Sequence, residues 1–209
     1  MKKIVLSFVL PFILFGCGGN QISEDRPTTG NIVFLGASIT AGFGLSDGEG
    51  YVDRITEKLV TAGYPYTTIN QGISGNRTDQ GLARIDEVLE AEPEIVVLAL
   101  GGNDFLQGKP LTEVQGNLES IVSVIQSEDV DVLLVGVTAP PTRGLGYTLE
   151  SRKMFESVAE NFGLVLMPNY LKGIVLNQKY MLDQVHPNSA GHQILADNMW
   201  EYLEPLLRQ

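Results

Sequence analysis

Two nearly continuous apolar runs place the strongest constraint on the fold: EIVVLAL at residues 94–100 and DVLLVGV at residues 131–137. A strand that is buried on both faces has this composition, whereas a strand with one face in water alternates apolar and polar residues. Shorter runs predict three further strands, at residues 31–36, 66–70 and 164–168. Strands of this kind occur mainly in parallel sheets that are covered by helices on both sides.

Segments with apolar residues three and four positions apart separate these strands and predict helices. The predicted helices cover residues 51–62, 80–89, 118–125 and 149–162, and a last helix runs from Asn188 or Ser189 to about Leu207. This alternation predicts an α/β fold with three layers, α/β/α, around a five-stranded parallel sheet in the flavodoxin-like order. No second linker interrupts the pattern, so we expect one domain over residues 31–209.

The amino-terminal segment MKKIVLSFVLPFILFGCGGN has the features of an export signal. Its apolar stretch at residues 4–15 is shorter than the roughly 20 residues that span a bilayer. Gly16 and Cys17 resemble the end of a bacterial lipobox, in which a small residue precedes a cysteine that is lipidated and becomes the new amino terminus. We therefore predict a signal peptide at residues 1–16, with residues 17–30 as the lipidated cysteine and a flexible tether.

On this prediction the protein is exported and anchored to a membrane through the lipid on Cys17, facing the periplasm or the cell exterior. An ordinary signal peptide with an incidental cysteine is the alternative. Because Cys17 is the only cysteine, the chain forms no internal disulfide. The formal net charge of −11 argues against nucleic acid as a partner, since phosphate binding requires clustered Lys and Arg.

The stretch FLGASITAGFG, residues 34–44, follows the first predicted strand and contains Ser38. Ser38 could cap a helix or act as a nucleophile, and the local pattern does not decide between these roles. A serine nucleophile needs a base, and the chain has only two histidines. His186 lies in a loop three residues after Asp183, whose carboxylate can accept the imidazole Nδ1–H and turn Nε2 towards the serine. His192 lies inside the last predicted helix, where packing or a surface position is expected.

Attack on an ester also creates negative charge on the carbonyl oxygen, which preorganised donors stabilise. Three donors are candidates: the backbone N–H of Ser38, the backbone N–H of Gly75 and the side-chain amide of Asn103. Taken alone, Asn103 could equally end a strand in a turn. Gly75 and Asn103 follow the second and third predicted strands, and the carboxyl ends of parallel strands share one edge of the sheet. We therefore expect these donors to meet Asp183 and His186 there.

Four segments resemble blocks I, II, III and V of the SGNH (GDSL-type) hydrolases: FLGASITAGFG, NQGISGNRT, LGGNDFLQG and DQVHPNSAG. The resemblance extends from about residue 31 to residue 207 and is strongest to the bacterial arylesterase, acyl-thioesterase and lysophospholipase subgroup. It implies a serine esterase that cleaves small esters, thioesters or lysolipids through an acyl-enzyme intermediate and needs no metal or cofactor.

The same resemblance implies a role for each candidate residue. Ser38 is the expected nucleophile, His186 the base and Asp183 the residue that orients the base, while Gly75 and Asn103 join the Ser38 amide in an oxyanion hole. The first block departs from the family pattern, because Ala37 stands where the family has aspartate. Since a carboxylate there steadies the loop, we expect a looser loop and slower turnover with the triad intact.

Three other functions are compatible with parts of the sequence. The same triad would serve an esterase that removes acetyl groups from sugars or cell-wall glycan. The fold would also serve a binding lipoprotein that has lost catalysis, or a flavin or phosphate binder that uses the loop after the first strand. No phosphate-loop lysine follows the glycines of that loop, which argues against the phosphate binder.

Overall fold

The structure is a computed structural model and describes residues 30–208. The predicted signal peptide and all of the tether before residue 30 lie outside the described residues. In chain order the strands and α-helices are β1 (Gly30–Gly36), α1 (Tyr51–Ala62), β2 (Tyr66–Gly72), α2 (Thr78–Leu82), α3 (Ile85–Leu89), β3 (Pro93–Ala99), α4 (Gly102–Gln107), α5 (Leu111–Gln126), β4 (Asp131–Val135), α6 (Leu145–Phe162), β5 (Val165–Met167) and α7 (Ser189–Leu203).

The five strands form one parallel sheet in the order β2-β1-β3-β4-β5. This confirms the predicted α/β fold and its flavodoxin-like strand order. From β1 the chain adds β2 on one side and then crosses back to place β3, β4 and β5 on the other side. The loops that follow β1 and β3 are therefore neighbours, which is the position where open α/β sheets carry their sites.

Two apolar layers cover the two faces of the sheet, because successive side chains of a strand point to opposite faces. Ile32 and Phe34 of β1 pack on the side of α1 and α7, whereas Val33 and Leu35 pack on the side of α3, α5 and α6. All four side chains are fully buried. The unbroken apolar runs in the sequence thus correspond to strands that are covered on both faces.

The structure departs from the sequence predictions at two places that affect the site. The single helix predicted over residues 80–89 is two short helices, α2 and α3, and the chain leaves helical geometry at Arg84 (φ −118°, ψ 23°). The residues directly after β3, where a strand-ending turn at Asn103 was the alternative, form the short helix α4, so Asn103 lies in a first helical turn. Local apolar spacing did not distinguish these cases because long-range contacts of Arg84 and Asp104 fix the backbone there.

Candidate active site

Ser38 lies in the tight loop that follows β1. The carbonyl oxygen of Ser38 accepts a hydrogen bond from the backbone N–H of Phe43 at 3.0 Å, and the carbonyl of Ala37 accepts one from Ala41 at 2.9 Å. The buried hydroxyl of Thr40 lies 3.0 Å from the hydroxyl of Tyr51 and anchors the same loop to the core. These contacts hold Ser38 at the carboxyl edge of the sheet with its side chain partly exposed.

The structure brings His186 and Asp183 to Ser38 from the far end of the chain. The Nε2 atom of His186 lies 3.0 Å from the Oγ of Ser38, and its Nδ1 atom lies 2.7 Å from Oδ2 of Asp183. The other carboxylate oxygen of Asp183 accepts hydrogen bonds from the backbone N–H groups of Val185 and His186, each at 2.7 Å. Asp183 therefore fixes both the imidazole and the backbone turn that carries it.

These contacts also set the charge state of Asp183. The imidazole of His186, followed by the two backbone donors, lowers the pKa of Asp183 from its ordinary 3.8 to about 2. The carboxylate thus remains ionised near neutral pH and favours the tautomer of His186 that carries its proton on Nδ1. In that tautomer Nε2 is the acceptor that faces the serine hydroxyl.

An aromatic ring that the sequence analysis did not single out lies against the imidazole. The ring centroids of Phe43 and His186 are 4.6 Å apart, and the planes are tilted by 38°. Half of the Phe43 side chain remains exposed. The ring therefore limits the rotation of the imidazole on one side and gives the mouth of the site an apolar wall.

Of the other two predicted oxyanion donors, Gly75 lies in the loop after β2 and Asn103 lies in the first turn of α4. Gly75 has a φ of 86°, a left-handed conformation that strains any residue with a Cβ. Among residues 30–208, the N–H groups of Ser38 and Gly75 have no protein acceptor. The side-chain amide of Asn103 donates one hydrogen to the carbonyl of Asn76 at 2.9 Å, which leaves its second hydrogen for a ligand.

A buried carboxylate to which the sequence analysis gave no role supports these donors. Asp104 is 2% exposed and accepts hydrogen bonds from the Thr78 hydroxyl at 2.7 Å and the Thr78 backbone N–H at 3.0 Å. The amide of Asn117 donates to the same hydroxyl at 3.1 Å. Burial raises the pKa of Asp104, and the hydrogen bonds from Thr78 act against this shift.

The structure also shows the surroundings of Ala37 and His192, two residues discussed in the sequence analysis. Ala37, which replaces the family aspartate, is partly buried and packs against the apolar layer on the α5 and α6 side. The slower turnover expected from Ala37 stays a prediction. His192 is 1% exposed, and its Nδ1 accepts the backbone N–H of Tyr51 at 2.9 Å. His192 is therefore a packed residue of α7 and makes no contact with Ser38.

Acidic, histidine and cysteine side chains do not form a cluster of three or more that could hold a metal ion within residues 30–208. The groups described above are an imidazole in contact with Ser38, a carboxylate in contact with that imidazole, and N–H donors that follow β1, β2 and β3. This combination is suited to nucleophilic attack on a carbonyl, because it supplies a base and a site for developing negative charge.

The model of the GDSL-like lipase/acylhydrolase family matches residues 34–194. The chain belongs to this family. Its relatives include the esterase TesA of Pseudomonas aeruginosa, with 34% identity over 93% of this chain and 98% of that protein. Thioesterase 1/protease 1/lysophospholipase L1 of Escherichia coli K12 is 28% identical over 84% of each chain. A crystal structure of TesA, 36% identical, has a TM-score of 0.82 and covers 85% of this chain and 99% of that chain.

Membership of the GDSL-like lipase/acylhydrolase family makes this chain a serine hydrolase of ester bonds. The matched region begins within β1, just before Ser38, and ends within α7, after His186. It therefore includes every residue of the candidate site.

Proposed function

We propose that the chain hydrolyses carboxylic esters or thioesters with Ser38 as nucleophile, His186 as base and Asp183 as the residue that orients the base. The observation that carries this proposal is the 3.0 Å contact between Ser38 Oγ and His186 Nε2, with Nδ1 of the same ring 2.7 Å from Asp183. This geometry permits direct transfer of the hydroxyl proton to the imidazole. It also argues against a binding protein that keeps the fold without catalysis, since such a protein needs no aligned base.

In the first half of the reaction the oxygen of Ser38 attacks the acyl carbon while its proton passes to Nε2 of His186. The negative charge on the former carbonyl oxygen is stabilised by the N–H groups of Ser38 and Gly75 and by the amide of Asn103. The bond from the acyl carbon to the alcohol oxygen or thiol sulfur then breaks. The imidazolium of His186 gives its proton to that leaving group, and the acyl group remains on Ser38.

In the second half of the reaction a water molecule attacks the acyl-enzyme. His186 takes a proton from this water, the same donors stabilise the new oxyanion, and the ester bond to Ser38 breaks. His186 returns the proton to the Ser38 oxygen, which frees a carboxylic acid and restores the enzyme. The low pKa of Asp183 supports both halves, because the carboxylate stays ionised and stabilises each imidazolium.

We expect the substrates to be small esters, thioesters or lysolipids. The names of the relatives support this range, since one is an esterase and another a thioesterase and lysophospholipase. The position of Phe43 also favours substrates with an apolar acyl or aryl group, because its half-exposed ring offers an apolar contact beside His186.

A substrate panel tests the proposal. Purified protein is assayed with p-nitrophenyl esters from acetyl to palmitoyl, with an acyl thioester and with a lysophospholipid, and the Ser38→Ala variant is the control. We expect hydrolysis by the wild type and loss of activity in Ser38→Ala, because the oxygen that attacks the acyl carbon is absent. Hydrolysis that survives Ser38→Ala would refute the assigned nucleophile. Activity confined to acetylated glycans would favour the glycan esterase instead.

We also propose that Cys17 is lipidated after removal of residues 1–16 and that residues 17–30 tether the domain to a membrane outside the cytoplasm. The support comes from the sequence alone, since the lipobox-like residues precede the described part of the chain. Among residues 30–208, no helix combines the length and apolar character needed to cross a bilayer. Cys17→Ser is expected to move the protein from the membrane fraction to the soluble fraction. Continued membrane association of this variant would contradict lipidation.

A further inference from the structure

The loop at residues 73–77 carries one proposed oxyanion donor and is weakly held by its own backbone. Ile73 donates to the carbonyl of Gly36 at 3.1 Å, and Asn76 donates to the carbonyl of Ile73 at 3.0 Å. Gly75 itself is exposed and has a left-handed conformation. Oxyanion donors stabilise charge well only when they are in place before the charge develops. Other contacts must therefore hold this loop.

Arg84 supplies the most extensive of these contacts. Its Nε donates to the side-chain oxygen of Asn76 at 3.1 Å, its Nη2 to the carbonyl of Gln71 at 2.7 Å, and its Nη1 to the side-chain oxygen of Gln71 at 3.2 Å. The three acceptors are amide oxygens. The planar guanidinium thus joins the last residues of β2 to the end of the loop in a fixed geometry.

Asn76 connects Arg84 to the side-chain amide of Asn103, another proposed oxyanion donor. Its side chain is held by Arg84, and its backbone carbonyl accepts the Asn103 amide at 2.9 Å. Asn76 is 8% exposed, so its side chain has little room to reorient. The direction of the free Asn103 N–H therefore depends on where Arg84 holds Asn76. On the other side of the loop, the buried pair of Thr78 and Asp104 keeps the start of α2 in place.

The break between α2 and α3 is consistent with this role. Arg84 has a non-helical backbone (φ −118°, ψ 23°) between the two short helices. The helix predicted from the sequence would have continued through this position. The observed backbone instead brings the guanidinium to Gln71 and Asn76, which lie 13 and 8 residues earlier in the chain.

We infer that Arg84 is a positioning residue of the oxyanion hole, acting through Asn76 on both the Gly75 loop and the Asn103 amide. This inference rests on the proposed function and names a residue that touches no reacting atom. A lysine at this position keeps the positive charge but cannot hold three acceptors in one plane. Replacing Arg84 by lysine should therefore weaken the stabilisation of the oxyanion and leave substrate binding unchanged.

The test compares Arg84→Lys with Arg54→Lys in the full-length chain, using p-nitrophenyl butyrate. Arg54 is a partly buried arginine of α1 that hydrogen-bonds Glu57, so it controls for loss of an arginine outside the site. For Arg84→Lys we expect kcat to fall at least about tenfold while KM stays within about twofold, because the lost interaction is made in the transition state. Arg54→Lys is expected to retain wild-type values of both constants.

A second readout separates positioning from general destabilisation. A trifluoromethyl ketone with the same acyl chain mimics the substrate carbonyl. The Ser38 oxygen adds to its carbonyl carbon, the Ser38 proton moves to His186, and the former ketone oxygen becomes an oxyanion in the oxyanion hole. Its inhibition constant should rise in Arg84→Lys by the same factor by which kcat falls, whereas an amide with that acyl chain should bind unchanged. An equal loss of affinity for both compounds would overturn the inference.

Asn76→Ala provides an independent route if Arg84→Lys folds poorly. This variant removes the contact with Arg84 but keeps the backbone carbonyl that receives the Asn103 amide. We expect a similar fall in kcat. The double variant should be no slower than the slower single variant, because both changes break the same hydrogen bond between Arg84 and Asn76. Additive losses, or an unchanged kcat in folded Asn76→Ala, would refute the assignment. Absence of Ser38-dependent hydrolysis in the wild type would instead remove the proposed function and this inference with it.

Discussion

His192 provides a measurable link between pH and the stability of this fold. It lies on α7, is 1% exposed, and uses Nδ1 to accept the backbone N–H of Tyr51 at 2.9 Å. Protonation of Nδ1 would break this hydrogen bond and place a charge in the apolar layer between α1 and α7. Burial, and secondarily the nearby His186, lowers the pKa of His192 from 6.5 to about 4.

The sign and size of the effect follow from these two pKa values. Between pH 6.5 and about 4 the unfolded chain binds a proton at His192 and the folded chain does not, so acid favours unfolding. The contribution of His192 is complete above pH 6.5, declines as the pH falls, and is lost below about pH 4. The total loss is about 3 kcal/mol, since each pKa unit corresponds to about 1.4 kcal/mol.

The assay is urea unfolding of the wild type and of His192→Asn at pH values from 7 to 4. The asparagine oxygen can still accept the Tyr51 N–H but does not titrate in this range. Other titrating groups affect both proteins, so the difference between their unfolding free energies isolates His192. We expect the wild type to lose about 3 kcal/mol relative to the variant across this interval. A difference that stays constant with pH would show that His192 is not buried in its neutral form.

Three further changes test the site. Asn103→Ala should lower kcat by about 10²–10³ with little change in KM, because it removes one oxyanion donor; a larger change in KM than in kcat would contradict this role. Gly72→Ala should destabilise the fold by about 1–3 kcal/mol in urea unfolding, since the new Cβ would lie 2.3 Å from the Ala41 nitrogen; wild-type stability would contradict this clash. Ala37→Asp should raise the esterase rate and the melting temperature by restoring the family carboxylate, and no change in either would contradict the expected loop effect.

The strands could be predicted from the sequence because burial on both faces requires apolar residues at nearly every position, and their order could be predicted from the alternation of strands and helices. Runs such as residues 94–100 are apolar at every position that meets a helix layer, and glycines such as Gly63 and Gly163 end helices in left-handed conformation. The placement of Ser38 and His186 at one edge then followed from the parallel sheet. Each of these inferences used residues that are close in sequence or a rule of topology.

The supporting residues could not be predicted in this way. The contact of Asp104 with Thr78 joins residues 26 apart, and the contacts of Arg84 join the break between α2 and α3 to β2. Neither contact follows from apolar spacing or from capping residues. In the structure Arg84 interrupts the predicted helix, and Asp104 is a carboxylate in the core.

The two sides of the candidate site are held by different physical means, which suggests why alanine can stand at position 37. The loop of Ser38 is anchored by the Thr40 hydroxyl, by the Asn70 amide on the Thr40 carbonyl at 2.8 Å, and by backbone turns. These anchors use no carboxylate. The oxyanion loop depends instead on the charged side chains of Arg84 and Asp104. Restoring aspartate at position 37 should therefore alter the rate less than removing Arg84, because existing contacts already position Ser38.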